Sequence, residues 1–157
     1  LKYATDLFAC SDAAGKWLYG AEKKFTVINN AIEIKKFQFD IQKRINVREK
    51  YAWENKFVVG CVGRFDYQKN QEFLIKSVLE KRPETILVFV GDGNTKETVK
   101  KLVYNNELDA EVCFLGSIDN VHEIYNAFDL FVLPSRFEGL CFVAIEAQTN
   151  GLQCIFI

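Results

Sequence analysis

Two pairs of charged residues in this chain have the types and spacing to do chemistry. Glu138 and Glu146 have seven residues between them, with Gly139 directly after the first. Arg64 and Lys69 follow Gly63, and Asn70 comes next. Arginine grips a phosphate through two parallel hydrogen bonds, while lysine acts as a point charge. Were both carboxylates helical, eight steps would set them about two turns apart, offset by roughly 80°. The reading adopted here puts Glu138 before the first turn and Glu146 two turns in, so that both face one ligand, one at each end. Each pair alone is weak evidence, because glutamates eight apart are common on helices and surface cations more often serve as ion-pair partners.

The elements around these residues strengthen the reading. An apolar run over 129–133, closed by Pro134, reads as a buried strand. A polar loop with Ser135, Arg136 and Gly139 follows, then a helical pattern with Val143, Ala147 and Gly151 on one face. In an open α/β sheet, ligands sit at such a junction beyond the carboxyl end of a strand. The helix start adds free N–H groups and partial positive charge, which suit an anion such as a phosphate. A second strand, 57–62, ends at Gly63-Arg64, so its cations reach the same edge and face Glu138–Gly139.

Strands are expected at 57–62, 85–90, 112–115 and 130–133, with a fifth at 154–157. Helices are expected at 69–80, with Phe73, Ile75, Val78 and Leu79 apolar, and at 95–106, with Val99, Leu102 and Val103 inward. Two more fall at 120–127 and around Glu146. Strands alternating with helices imply right-handed crossovers and a Rossmann-like parallel α/β sheet with helices on both faces. Upstream, 4–10 reads as a strand, Ser11 or Asp12 caps a helix that Gly20 stops after Tyr19, and 25–28 is another strand. Residues 31–55 are mixed and polar, with a helix near 43–51. Gly91-Asp92-Gly93 forms a strand-to-helix turn; a dinucleotide fingerprint needs a third glycine near 96, where Lys96 stands, so an NAD site is rejected.

The 157 residues, 49% apolar and 26% charged, suffice for one domain with a full core. No apolar stretch has the length of a membrane span, and no signal peptide is visible. A chain that begins at Leu1 and contains no Met reads as a fragment. A net charge of −1 argues against nucleic acid as partner. Residues 1–55 carry ten Lys/Arg against seven Asp/Glu, and 56–157 carry ten against fourteen. The basic pairs Lys23-Lys24 and Lys35-Lys36 fall short of a membrane-binding cluster. Five cysteines without a C-x-x-C pair, four of them in strand-like runs, suggest a reducing cytoplasm. Cys141 is the exception, at a helix start where a thiol pKa can fall, but a catalytic role for it is disfavoured. His122, the single histidine, lacks neighbours at metal-ligand spacing, so no metal site is read.

Pro134-Ser135-x-x-Glu138-Gly139-Leu140, followed by Glu146-Ala147-Gln148, resembles the signature of retaining GT-B glycosyltransferases of family 4, also called group 1. Gly63-Arg64 with Lys69-Asn70 is similar to the family's donor-domain motif. The resemblance runs over residues 4–157 and is densest at 58–70 and 129–151. It implies a C-terminal GT-B half: 1–30 as the tail of an N-terminal domain and linker strand, 31–55 as linker and first helix, and 56–157 as the donor-binding domain. The implied reaction moves a sugar from a nucleotide-diphosphate donor, a UDP-sugar for preference, to a polysaccharide or lipid-linked acceptor with retention. Arg64, Lys69 and amides around Gly139, Leu140, Cys141 and Phe142 would stabilise the leaving diphosphate. Glu138 would bind donor-sugar hydroxyls and Glu146 the ribose. Gly91 would lie near the nucleotide, and Gly116 and Ser117 would give backbone contacts to the base. No cofactor or metal is implied. The pattern is most similar to enzymes of capsule, exopolysaccharide or lipopolysaccharide assembly, cytoplasmic or at the inner membrane face, with any membrane contact made by the N-terminal domain. The chain alone is expected to bind donor without transferring sugar. Departures are Asn30 for the usual Gly, where asparagine tolerates a left-handed backbone, Cys141 for Pro or Ser, and Gln153 for Pro.

Other classes fit less well. A non-catalytic nucleotide-binding or regulatory α/β module of the receiver kind needs acids at the first strand's end, where Gly63-Arg64 stands. A two-carboxylate glycosidase needs acid and base placed across a bond, which nothing here fixes. A phosphorylase would need a pyridoxal phosphate lysine that cannot be assigned, and a nucleotide-sugar epimerase shares only the architecture.

Overall fold

Alternate residues of each central strand point into two separate cores. In β3 (Phe57–Val62), Val58 and Val62 pack into one cluster while Val59 and Cys61 pack into the other. In β4 (Thr85–Val90), Val88 and Val90 oppose Leu87 and Phe89; in β6 (Leu130–Leu133), Phe131 and Leu133 oppose Val132. Strands buried on both faces read as continuous apolar runs, which is why these three were legible. A computed structural model describes residues 4–78 and 84–157 of the chain. With β5 (Val112–Gly116) and β7 (Gln153–Phe156) the strands form a five-stranded parallel sheet, order β5-β4-β3-β6-β7. The chain runs outward from β3 through β4 to β5, then returns to the other side of β3 for β6 and β7. The order therefore reverses between β3 and β6, which puts the crevice expected of an open sheet between their carboxyl ends.

One face carries Leu74 and Ile75 of α4 (Glu72–Val78) and Val99 and Val103 of α5 (Lys96–Asn105). The other is covered by residues of α2 (Ile34–Phe37), α3 (Ile41–Lys50), α6 (Val121–Ile124) and α7 (Phe142–Thr149). Before them, β1 (Phe8–Ala9) and β2 (Thr26–Val27) pair in parallel around α1 (Asp12–Tyr19). Ser11 caps α1, its Oγ accepting the Ala14 N–H at 3.1 Å, and Gly20 ends it.

Several expected boundaries move for local reasons. The helix expected from Lys69 begins at Glu72, because Asn70 has a positive φ of 51° that no right-handed helix admits. Its inward residues are Leu74 and Ile75, while Phe73 is exposed; Leu79 and Glu80, at the end of that expectation, lie outside the described residues. The helix expected at 43–51 starts two residues earlier, where Asp40 Oδ1 accepts the Gln42 and Lys43 N–H groups. The helix expected at 120–127 tightens after Ile124 into a 3₁₀ turn, Tyr125–Ala127. Gly151 lies past the end of α7 and is exposed, so Val143 and Ala147 alone continue its inward face. Asn30 is not in the left-handed region: its side-chain amide instead donates to the Leu140 carbonyl at 2.7 Å.

Candidate functional site

The β3–α4 and β6–α7 loops meet across the crevice and are tied by a two-way set of hydrogen bonds. The Arg136 N–H donates to the Gln68 carbonyl at 2.8 Å, and Gln68 Nε2 donates back to the Phe137 carbonyl at 2.9 Å. Asn70 Nδ2 donates to the Pro134 carbonyl at 3.1 Å, and its Oδ1 accepts from the Arg136 guanidinium at 2.8 Å. That guanidinium also lies 4.5 Å from the Tyr67 ring centre. Asp66 Oδ1 accepts the Lys69 N–H at 2.9 Å, and buried Gln71 donates to the Arg64 carbonyl. These contacts aim Lys69 into the crevice.

Lys69 Nζ lies 2.5 Å from Glu138 Oε1 and 3.6 Å from Cys141 Sγ. Burial works to lower the Lys69 pKa, but the Glu138 hydrogen bond, Cys141 and the Glu138 charge outweigh it, and the ammonium is held above its ordinary range. Arg64 is exposed on the same loop, and its guanidinium has no partner among the described residues. Cys141 stands at the N-cap of α7 without a side-chain cap bond, so among the described residues no side chain caps the first-turn N–H groups of that helix. Buried Cys61, beneath this cluster, has its thiol pushed up to about 12 by burial, against the pull of Lys69.

The remaining expected residues fall around this centre. Gly91 bonds to the Gly116 carbonyl, and at φ 135° a Cβ there would lie 2.1 Å from the Gly63 carbonyl oxygen. The ends of β3, β4 and β5 thus pack backbone to backbone, which only glycine allows. Ser117 is exposed just beyond. Lys96 pairs with Asp92 at 2.9 Å beside Gly116, and chiefly this hydrogen bond holds the Asp92 carboxyl below its usual range. Gly139 and Leu140 are exposed along a cleft of about 450 Å³ that also includes Glu138 and Cys141, and Phe142, the next residue, is exposed as well. Glu146 takes a different partner from Glu138: its Oε2 accepts the Tyr125 hydroxyl at 2.8 Å. Tyr125 was not singled out from the sequence, where it reads as one more core aromatic. A cleft of about 570 Å³ at the opposite end of the sheet contains Arg48 and Asp129, but these are paired with each other at 3.1 Å.

Exposed cation, poised cation, carboxylates and uncapped helix start together form an edge able to take a ligand with adjacent anionic and hydroxyl groups. Among the described residues, no three His, Cys, Asp or Glu side chains gather as a metal ion requires, and no helix is long and apolar enough to cross a membrane.

The family model for glycosyl transferases group 1 matches residues 43–157. The chain is 36% identical over 151 residues to the UDP-Gal:alpha-D-GlcNAc-diphosphoundecaprenol alpha-1,3-galactosyltransferase of Escherichia coli, covering 89% of this chain and 38% of that protein. It is 30% identical over 138 residues to the lipopolysaccharide core biosynthesis mannosyltransferase LpsB of Rhizobium meliloti (strain 1021), covering 83% and 39%. Among solved structures, Anabaena Alr3699/HepE in complex with UDP and glucose superposes with a TM-score of 0.88 at 24% identity, over 99% of this chain and 45% of that one. The chain spans less than half the length of each of these proteins.

Proposed function

The chain belongs to the group 1 glycosyltransferases and has the fold of their GT-B enzymes, and from that premise we propose that it binds the nucleotide-sugar donor of a retaining hexosyltransferase. The observation that carries this reading is the meeting of Lys69, Glu138 and the uncapped start of α7 where the strand order reverses. Residues 56–157 serve as the donor domain, 1–30 as the tail of the preceding domain and 31–55 as the linker between them. The donor is a UDP-sugar, in keeping with the UDP-Gal named for the Escherichia coli relative. The acceptor is a polysaccharide or lipid-linked glycan, in keeping with that relative's diphosphoundecaprenol substrate and the lipopolysaccharide named for LpsB. The enzyme works in the cytoplasm, at most against the inner face of the membrane.

The difficult step is departure of the nucleoside diphosphate as positive charge grows at the anomeric carbon. Arg64 and Lys69 meet the growing negative charge, and the amides over 139–142 add fixed dipoles. Groups already aimed at the place where charge develops need no reorganisation when it does. Glu138 accepts hydrogen bonds from donor-sugar hydroxyls and Glu146 from the ribose. Backbone at Gly63 and Gly91 lets the nucleotide approach closely, and Gly116–Ser117 borders the base. With two cations facing the diphosphate, no metal is needed. Acceptor recognition and any general base are assigned to sequence outside this chain, so the chain alone binds donor without turning it over.

Calorimetric titration with UDP, GDP and ADP in the presence of EDTA tests the reading. UDP binding that weakens in Arg64→Ala and Glu146→Ala is the expected result. Absence of binding to every nucleotide, both here and in the full-length protein, overturns it.

A further inference from the structure

A carboxylate that is to take up ribose hydroxyls has to be held still, and Glu146 is held from the core side. The Tyr125 hydroxyl lies 2.8 Å from Glu146 Oε2 and 3.4 Å from the Val143 carbonyl. Tyr125 sits on the 3₁₀ turn that follows α6 and is fully buried. Its ring packs against Phe37, Phe128 and Phe131, with centres 6.0, 6.0 and 5.9 Å away. A ring wedged in this way cannot swing its hydroxyl elsewhere. Burial first, and then the charge of Glu146, push the Tyr125 pKa far above its ordinary value, so the phenol keeps its proton.

The proton inventory then fixes the geometry. A phenol has one proton to give, and its nearer and charged acceptor is Oε2. Glu146 Oε1 has no donor among the described residues, and the side chain is only half-buried. One oxygen is anchored from the core side, and the other is left to accept from outside.

We infer that Tyr125 is a positioning residue, which donates to Glu146 Oε2 so that Oε1 is presented to the hydroxyls of the nucleotide ribose. The inference rests on the donor-binding reading and adds to it a determinant of ribose over deoxyribose.

The test titrates the chain and its Tyr125→Phe, Glu146→Ala and doubly substituted forms with UDP, 2′-deoxy-UDP and 3′-deoxy-UDP, with thermal unfolding of each variant. The native chain is expected to favour UDP over at least one deoxy form by about tenfold, the value of one hydrogen bond to a charged group. Tyr125→Phe lowers that preference to about threefold, the share of the anchoring bond. Glu146→Ala removes the preference, and adding Tyr125→Phe then changes the ratio no further. A purely structural tyrosine would lower the melting temperature and weaken all three ligands equally; that result overturns the inference. So does a native chain that binds UDP and the deoxy forms alike, although the diphosphate reading then survives. A chain that binds no nucleotide overturns both.

Discussion

The Lys69–Glu138 pair makes a prediction with two signs. The Glu138 carboxylate pairs with the Lys69 ammonium, the cation proposed to meet the diphosphate. The side chains of Lys69 and Glu138 keep 14% and 22% of their surface exposed. Exposed ion pairs contribute about 0.2–1 kcal/mol, and hydrogen bonds to charged groups about 1.5–3 kcal/mol. A half-screened pair falls between, so Glu138→Gln should cost about 1–1.5 kcal/mol of stability. For a domain of this size that lowers Tm by about 3–5 °C. The same substitution releases Lys69, so UDP should bind up to about tenfold tighter. A UDP-sugar should gain less than UDP, because Glu138 is also the proposed acceptor for sugar hydroxyls.

The pH dependence follows from Lys69. Its pKa in the folded chain is raised above the ordinary 10.5. The pair's stabilisation is therefore whole below about 10.5 and fades as the pH rises through the folded value. The Tm difference between the native chain and Glu138→Gln should stay level from about pH 7 to 9 and close above about 10.5. Scanning calorimetry gives the stability and isothermal titration the affinity. Weaker UDP binding in the less stable variant would refute the competition, because the carboxylate would then be helping the nucleotide rather than standing in its place.

Arg64→Ala should leave Tm within about 1 °C, since the side chain has no partner among the described residues, while UDP binding weakens by about tenfold or more; a large Tm drop with unchanged affinity contradicts the proposed role. Gly91→Ala drives a Cβ to within 2.1 Å of the Gly63 carbonyl oxygen, a backbone clash that should cost about 3 kcal/mol, and a variant as stable as the native chain would show that the strand ends are not locked together. Burial works to raise the Asp129 pKa, but the Val58 N–H, Arg44 and Arg48 outweigh it and hold the carboxyl below its usual range. Its stabilisation is present above about pH 4 and is lost as the pH falls through the folded value. Asp129→Asn leaves Arg48, 7% exposed, without its carboxylate, so at pH 7 denaturant unfolding should report a loss of about 3 kcal/mol and acid titration a shallower decline.

What the sequence made legible follows from what local pattern can encode. Strands β3, β4 and β6 were readable because burial on both faces leaves no polar alternation to confuse. The positions of Gly63, Lys69, Glu138 and the start of α7 followed from a rule of parallel sheets, that loops at the carboxyl ends converge. What could not be read is who partners whom. Lys69 and Glu138, 69 residues apart, each look like a ligand contact in a linear reading, yet in the fold they satisfy one another. Tyr125 carries no local mark, because a tyrosine on a short 3₁₀ turn has the same pattern whether or not its hydroxyl reaches a carboxylate 21 residues later. Even Asn30, expected to stand in for glycine by backbone tolerance, contributes a side-chain hydrogen bond to Leu140 instead. The consequence is energetic. A site whose opposite charges pair with each other must break those pairs to bind, so its affinity is a difference between two sets of contacts. Adding up the charges aimed at a ligand overstates that difference, and it does so most at Lys69, whose partner is itself a full carboxylate. Arg64, with no such partner among the described residues, should therefore contribute more to nucleotide affinity than Lys69, and comparing Arg64→Ala with Lys69→Ala in one UDP titration decides the order.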